Sequence, residues 1–220
     1  MADQKDTYKT ITGESTGEFR DRGSKFIAYA YPVYNEAEWQ ERLSDVKKEH
    51  SKARHHCYAY RLGIDKNNFR ANDDGEPSGT AGRPILGQID SFELSNIIII
   101  VVRYFGGTKL GTSGLINAYK TSAAKALKAA EIVEKLVEDI YLLEFDYAIM
   151  SQVMNAIKAL DLEMVNQDFG HTGRVEVAIR QSETEDTLRE IKAKAAEVRI
   201  EEVDELDELE ELTIKYVETR

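Results

Sequence analysis

The run Ile97-Ile98-Ile99-Ile100-Val101-Val102 constrains the fold of this chain more than any other feature. Its residues are apolar and β-branched throughout, so no side of the segment is polar. Residues 96–104 therefore read as a strand buried on both faces. The run is also far shorter than the roughly 20 residues that cross a bilayer, and no other segment qualifies as a membrane helix. Residues 1–12 lack the apolar stretch of a secretory leader. A cytoplasmic protein without membrane attachment is expected. The single cysteine, Cys57, excludes an internal disulfide framework and a cysteine-rich zinc site.

The chain has 220 residues, 42% of them hydrophobic, which is enough for a real core in one large domain or two small ones. Its net charge of -11 argues at first sight against nucleic acid, because a phosphate backbone repels an acidic surface. The charge is unevenly spread, however. Residues 1–135 hold 20 basic and 18 acidic side chains, a net +2, whereas residues 136–220 hold 9 and 22, a net −13. The objection to RNA thus weakens for the first part and stands for the second. Residues 201–211 alone hold eight acidic residues. That run reads as a solvated loop leading into an edge strand, with an acidic docking surface as the alternative.

Periodicity divides the chain at the same place, near residues 131–138. Residues 136–220 form a domain with the order β-α-β-β-α-β, the split ferredoxin-like arrangement. Strands are predicted at 137–147, 162–169, 174–181 and from Leu212 to Tyr216. One helix carries Ile149, Val153, Ala156, Ile157 and Leu160 on one face. The other carries Leu188, Ile191, Ala195 and Val198, with Ser182 or Thr184 as its cap. Residues 1–135 are less regular. Strands are expected at 25–33, 56–62 and 96–104, and a helix around Trp39, Leu43 and Val46. The strongest helix of the chain follows Gly114, with Leu115, Ala118, Tyr119, Ser122, Ala123, Ala126, Leu127 and Ala130 on one stripe.

Two glycine-rich loops carry the chemistry. Residues 72–84 contain Asp73, Asp74 and Glu76, which either hold a hard cation or act as a base, or else cap turns and the following helix, with Ser78 or Thr80 at its start. The segment Arg103-Tyr104-Phe105-Gly106-Gly107-Thr108-Lys109-Leu110-Gly111-Thr112-Ser113-Gly114 runs from a buried strand into a helix. Free amides at a helix start attract anions, and Arg103, Lys109, Thr108, Thr112 and Ser113 add charge and donors. It is not a Walker A loop, since Thr112 stands where that motif needs lysine. The alternative is a tight turn that merely requires small residues. A third cluster comprises Lys52, Arg54, His55 and His56. On a strand the two histidines point to opposite faces, so a structural role suits them better than a metal.

Asp73-Asp74-Gly75-Glu76-Pro77-Ser78-Gly79-Thr80-Ala81-Gly82 together with Arg103-Tyr104-Phe105-Gly106-Gly107-Thr108-Lys109-Leu110-Gly111 closely resembles the IMPACT/YigZ family. Ser24-Lys25-Phe26 and the His56 strand also fit. The resemblance implies an α+β chain: a ribosomal-protein-S5 domain-2-like fold over 1–135, then a ferredoxin-like domain over 136–220 similar to a domain of elongation factor G. It implies a link to translation, since the eukaryotic relatives regulate it through the kinase pathway acting on an initiation factor. This sequence departs from the family pattern at Ser113 and at Asn117, where a cation is usual.

The expected function is a non-catalytic, translation-associated regulator that contacts RNA or the ribosome through the N-terminal domain. Arg54, His56, Arg83, Arg103, Lys109 and Lys120 would meet phosphates, with Gly106, Gly107, Thr108, Gly111, Thr112 and Ser113 approaching closely. A translation-related protein is a further partner. The alternative is an enzyme holding a small phosphorylated substrate at loop 106–114, with Asp74 or Glu76 as base. The residues call for no cofactor and no resident metal, and they leave the oligomeric state open.

Overall fold

A computed structural model describes residues 6–64, 67–205 and 209–220. The chain forms two compact units, Tyr8–Lys135 and, joined by Asp6 and Thr7, Leu136–Arg220. In chain order the first ten elements are β1 (Thr7–Ile11), β2 (Ser15–Asp21), β3 (Ser24–Pro32), α1 (Glu36–Glu49), β4 (His55–Leu62), β5 (Asn68–Asn72), α2 (Gly82–Ser91), β6 (Ile97–Tyr104), α3 (Gly111–Ala129) and β7 (Ile132–Leu136).

The first unit is built on a five-stranded antiparallel sheet in the order β2-β3-β6-β4-β5. Strand β6 lies at its centre, and its unbroken apolar run serves two cores. Ile97, Ile99 and Val101 pack with Ile85 and Ile89 of α2 and with Leu115, Tyr119 and Leu127 of α3. Ile98, Ile100 and Val102 pack on the other face with Trp39 and Val46 of α1. Helix α1 starts at Asn35, whose Oδ1 accepts the Glu38 amide at 3.0 Å, while Glu38 accepts the Tyr34 amide at 2.7 Å. This reciprocal capping explains where the helix begins.

Three features depart from the sequence expectations. Helix α2 begins at Gly82 after Ala81, and neither Ser78 nor Thr80 caps it. The Thr80 hydroxyl instead donates to the Pro77 carbonyl at 2.6 Å. Strands β1, β2 and β5 occupy residues without a strong periodic signal. The expected boundary region is itself a strand, β7, which pairs with β1.

The second unit contains β8 (Glu138–Phe145), α4 (Met150–Ala159), β9 (Glu163–Phe169), β10 (Gly173–Arg180), α5 (Thr184–Ala195) and β11 (Leu212–Thr219). Its sheet runs β11-β8-β10-β9, with all neighbours antiparallel. Leu143, Phe145, Val175, Val177 and Ile179 pack one face of it against Val153, Ile157 and Ile191 of the helices. Edge strand β9 is exposed along its whole length. No side chain caps α5. Ser182 binds Asp6, and Thr184 donates to Asp139 at 3.1 Å. Within the acidic run 201–211, residues 206–208 lie outside the described residues.

Candidate functional site

The loop between β5 and α2 spreads its three carboxylates over three tasks. Asp73 accepts the amides of Ala81 and Gly82 through Oδ1, at 3.0 and 2.8 Å, and that of Gly79 through Oδ2, at 2.8 Å. It is thus the cap of α2, supplied from outside the helix. Burial works to raise the Asp73 pKa, but the three amides and nearby Arg83 outweigh it and hold the carboxyl below its usual range. Asp74 accepts the His56 amide at 2.7 Å and has a positive φ of 39°. Glu76 points inward. Among the described residues no group of three or more His, Cys, Asp or Glu side chains is placed to hold a metal ion. The shared cation site considered for Asp73, Asp74 and Glu76 is therefore corrected; Asp74 gives one carboxylate oxygen, Oδ2, to the His56 backbone amide.

Glu76 anchors a buried network. Its side chain is 4% exposed, and its Oε1 accepts from Arg103 Nη1 at 2.6 Å and from the Tyr119 hydroxyl at 2.9 Å. The Cys57 thiol donates to the Tyr119 oxygen at 3.3 Å and sits 3.0 Å from the Asp73 carbonyl. Burial pushes both the Cys57 and Tyr119 pKa values far up, so both groups stay protonated. The Arg103 side chain is 7% exposed, and its guanidinium lies 5.4 Å from the Phe26 ring centroid and 5.5 Å from that of Phe105. Its Nε is buried without a hydrogen-bond partner. Strands β3, β4 and β6 and helix α3 therefore all converge on one ion pair.

The loop after β6 is braced from behind. The Gly106 amide donates to Ser24 Oγ at 3.1 Å. A Cβ on Gly106 would stand 1.9 Å from the Gly23 carbonyl carbon and 2.2 Å from the Ser24 nitrogen, so only glycine fits. This gives the Ser24-Lys25-Phe26 segment a concrete role. Helix α3 then opens without a side-chain cap and without an acidic residue in its first turn, so its leading amides stay available. Ser113 does not cap it and is exposed, as are Gly107, Thr108, Lys109 and Thr112.

These pieces enclose a cavity of about 530 Å³ at the start of α3. Arg54, Lys109, Gly111 and Thr112 border it together with Glu76 and Arg103, while Pro77, Phe105, Leu110 and Leu115 supply apolar surface. Arg83, Gly106, Gly107, Thr108, Ser113 and Lys120 do not line it. Arg83 is exposed near Asp73, and Lys120 is exposed on α3.

His56 requires a correction. It faces the α1 side, with Nε2 3.3 Å from the His50 carbonyl, and burial holds its pKa down. The histidine at the cavity is His55. Its Nδ1 donates to the Asp74 carbonyl at 2.8 Å, so a neutral ring presents Nε2 as an acceptor, 4.0 Å from Glu76 Oε1. Strand alternation was the available signal for separating the two histidines, but it does not say which face holds the cavity.

The Impact N-terminal domain family matches residues 22–127, the span that holds both glycine-rich loops. The chain is 34% identical over 178 residues to the IMPACT family member YvyE of Bacillus subtilis, covering 81% of this chain and 82% of that one. It is 36% identical over 148 residues to an IMPACT family member of Haemophilus influenzae, covering 66% and 72%. A crystal structure of a hypothetical protein matches 97% of this chain and 98% of its own at a TM-score of 0.70 and 26% identity. The chain belongs to the IMPACT family.

Proposed function

We propose that this chain is a non-catalytic, translation-associated regulator that contacts RNA or the ribosome through its N-terminal domain, residues 1–135. One observation carries the RNA contact: an uncapped 19-residue helix opens its amides on a cavity bordered by Arg54 and Lys109. The near-neutral charge of that part of the chain removes the repulsion that the acidic second part would impose. The link to translation, and to a translation-related protein partner, comes from what the family resemblance implies. The finer fold assignment belongs to the same reading. It makes 1–135 ribosomal-protein-S5 domain-2-like and 136–220 ferredoxin-like. The order β11-β8-β10-β9 supports the second assignment.

The test is binding of purified protein to ribosomes and to single-stranded RNA across a salt series. Affinity should fall steeply with salt, and Lys109→Glu should weaken it about tenfold at low salt. Absence of any RNA or ribosome association at low salt overturns the reading.

His55 favours a second reading, an enzyme acting on a small phosphorylated compound. A backbone carbonyl orients its ring and leaves Nε2 as an acceptor at the cavity, the geometry of a general base. In that case phosphate release from a panel of phosphomonoesters is abolished in His55→Gln, while the melting temperature stays within a few degrees. No release from any compound by the unsubstituted protein discards it.

A further inference from the structure

We propose that edge strand β9 docks an extended, basic segment of a partner protein, which joins the sheet of the second unit as a fifth strand. The site lies outside the part of the chain that would meet RNA and does not depend on that reading.

Among the described strands β9 pairs with β10 alone and ends the sheet. Alternate residues of such a strand turn both backbone groups away from their neighbour, which leaves a row of donors and acceptors along the outer side. All seven residues of β9 are exposed. The opposite edge, β11, is guarded: Lys215 stands in its middle, and its register with β8 breaks after Tyr216. Strand β9 holds no basic residue. It does carry a bulge, with Val165 as the extra residue between Met164, opposite Val177, and Asn166, opposite Glu176. The regular template is therefore residues 166–169. Within it the Gln167 amide donates to Asn166 Oδ1 at 2.9 Å, a local partner that a carbonyl of an added strand can replace.

The two faces of this template select the occupant. Gln167 opposes Val175 of the core, so Gln167 and Phe169 lie on the helix-covered face. Phe169 is 41% exposed at the margin of that face, where an apolar side chain of an added strand would cover it. Asn166 and Asp168 lie on the other face, opposite Glu176 and Arg174. Arg174 is already paired with Glu144 at 2.7 Å. Glu163 and Asp168 are the strand's two charges, in a part of the chain with a net −13. A segment that alternates apolar and basic residues matches both faces. A second copy of the chain brings β9 itself, with two acids and no base, and is repelled.

The experiment measures binding of three peptides of about ten residues to the full chain. The first alternates lysine and valine, the second alternates glutamate and valine, and the third is the first with every backbone nitrogen methylated. The first should bind about tenfold more tightly than the other two and slow amide hydrogen exchange over residues 166–169. Gln167→Pro removes a donor from the edge strand and should weaken that binding about tenfold, with the melting temperature within a few degrees of the parent. Asp168→Lys, at an exposed position, should do the same and carries the test if Gln167→Pro does not fold. Equal binding of the methylated peptide overturns strand addition, because charge alone then suffices. Equal binding of the acidic peptide overturns the basic partner. Binding of none of the three, or a dimer in sedimentation that Gln167→Pro abolishes, overturns the proposal as well. RNA binding is untouched by each of these outcomes.

Discussion

Asp73 takes, at the scale of one residue, the capping role that the sequence offers for the carboxylates of its loop, while Ser78 and Thr80 take no part in it. Two carboxylate oxygens serve three amides, two of them at the start of α2. Asp73→Asn keeps the shape but supplies one acceptor oxygen, and it should lower stability by about 1–2 kcal/mol. The sign of the pH effect follows from the depressed carboxyl pKa. Its contribution is complete above the unfolded value, near 3.8, and is lost as pH falls through the lower folded value. The melting-temperature gap between the two proteins should therefore be widest above about pH 5 and should close in acid. A gap that widened on acidification would contradict this account. The cap was hard to read because it joins residues eight and nine positions apart through a loop. The Glu76–Arg103–Tyr119 cluster was illegible for the same reason, its members lying 27 and 43 residues from Glu76. Residue types alone identified Glu76 and Arg103 as candidates, but not as partners.

At the scale of elements, legibility followed burial. Strand β6 announces itself because both of its faces are buried and every position is apolar. Helix α3 does so through its stripe of small and apolar residues. Strands β5 and β7 are largely exposed, and neither alternation nor an apolar run marks them. The loop from β6 to α3 was recognised as glycine-rich, but the reason lies in a distant hairpin. Gly106 rests directly on the turn between β2 and β3. Gly106→Ala should force that turn and the loop apart, lowering stability by about 2–3 kcal/mol. RNA binding through this loop should fall with it; Gly13→Ala, with open space around its Cβ, provides the neutral control. A Gly106→Ala protein that melted like the parent would show that the brace is not needed.

At the scale of the whole molecule, the charge divides between the parts. Arg54 borders the cavity in the near-neutral part, whereas Arg174 is exposed on the acidic unit and paired with Glu144 at 2.7 Å. Arg54→Glu should reduce both the affinity for RNA and the slope of its salt dependence by about two phosphate contacts' worth of charge. Arg174→Glu, the same change in net charge, should leave both nearly unaltered. Equal losses from the two variants would mean that net charge alone governs binding. The acidity of the second unit also bears on its exposed edge strand β9. An open edge bearing Met164, Val165 and Phe169 is a template for strand pairing between copies. Mutual repulsion between units of net −13 holds such edges apart. The acidity of the second unit is thus also a safeguard against self-association through β9, one that fades as acid protonates its carboxylates.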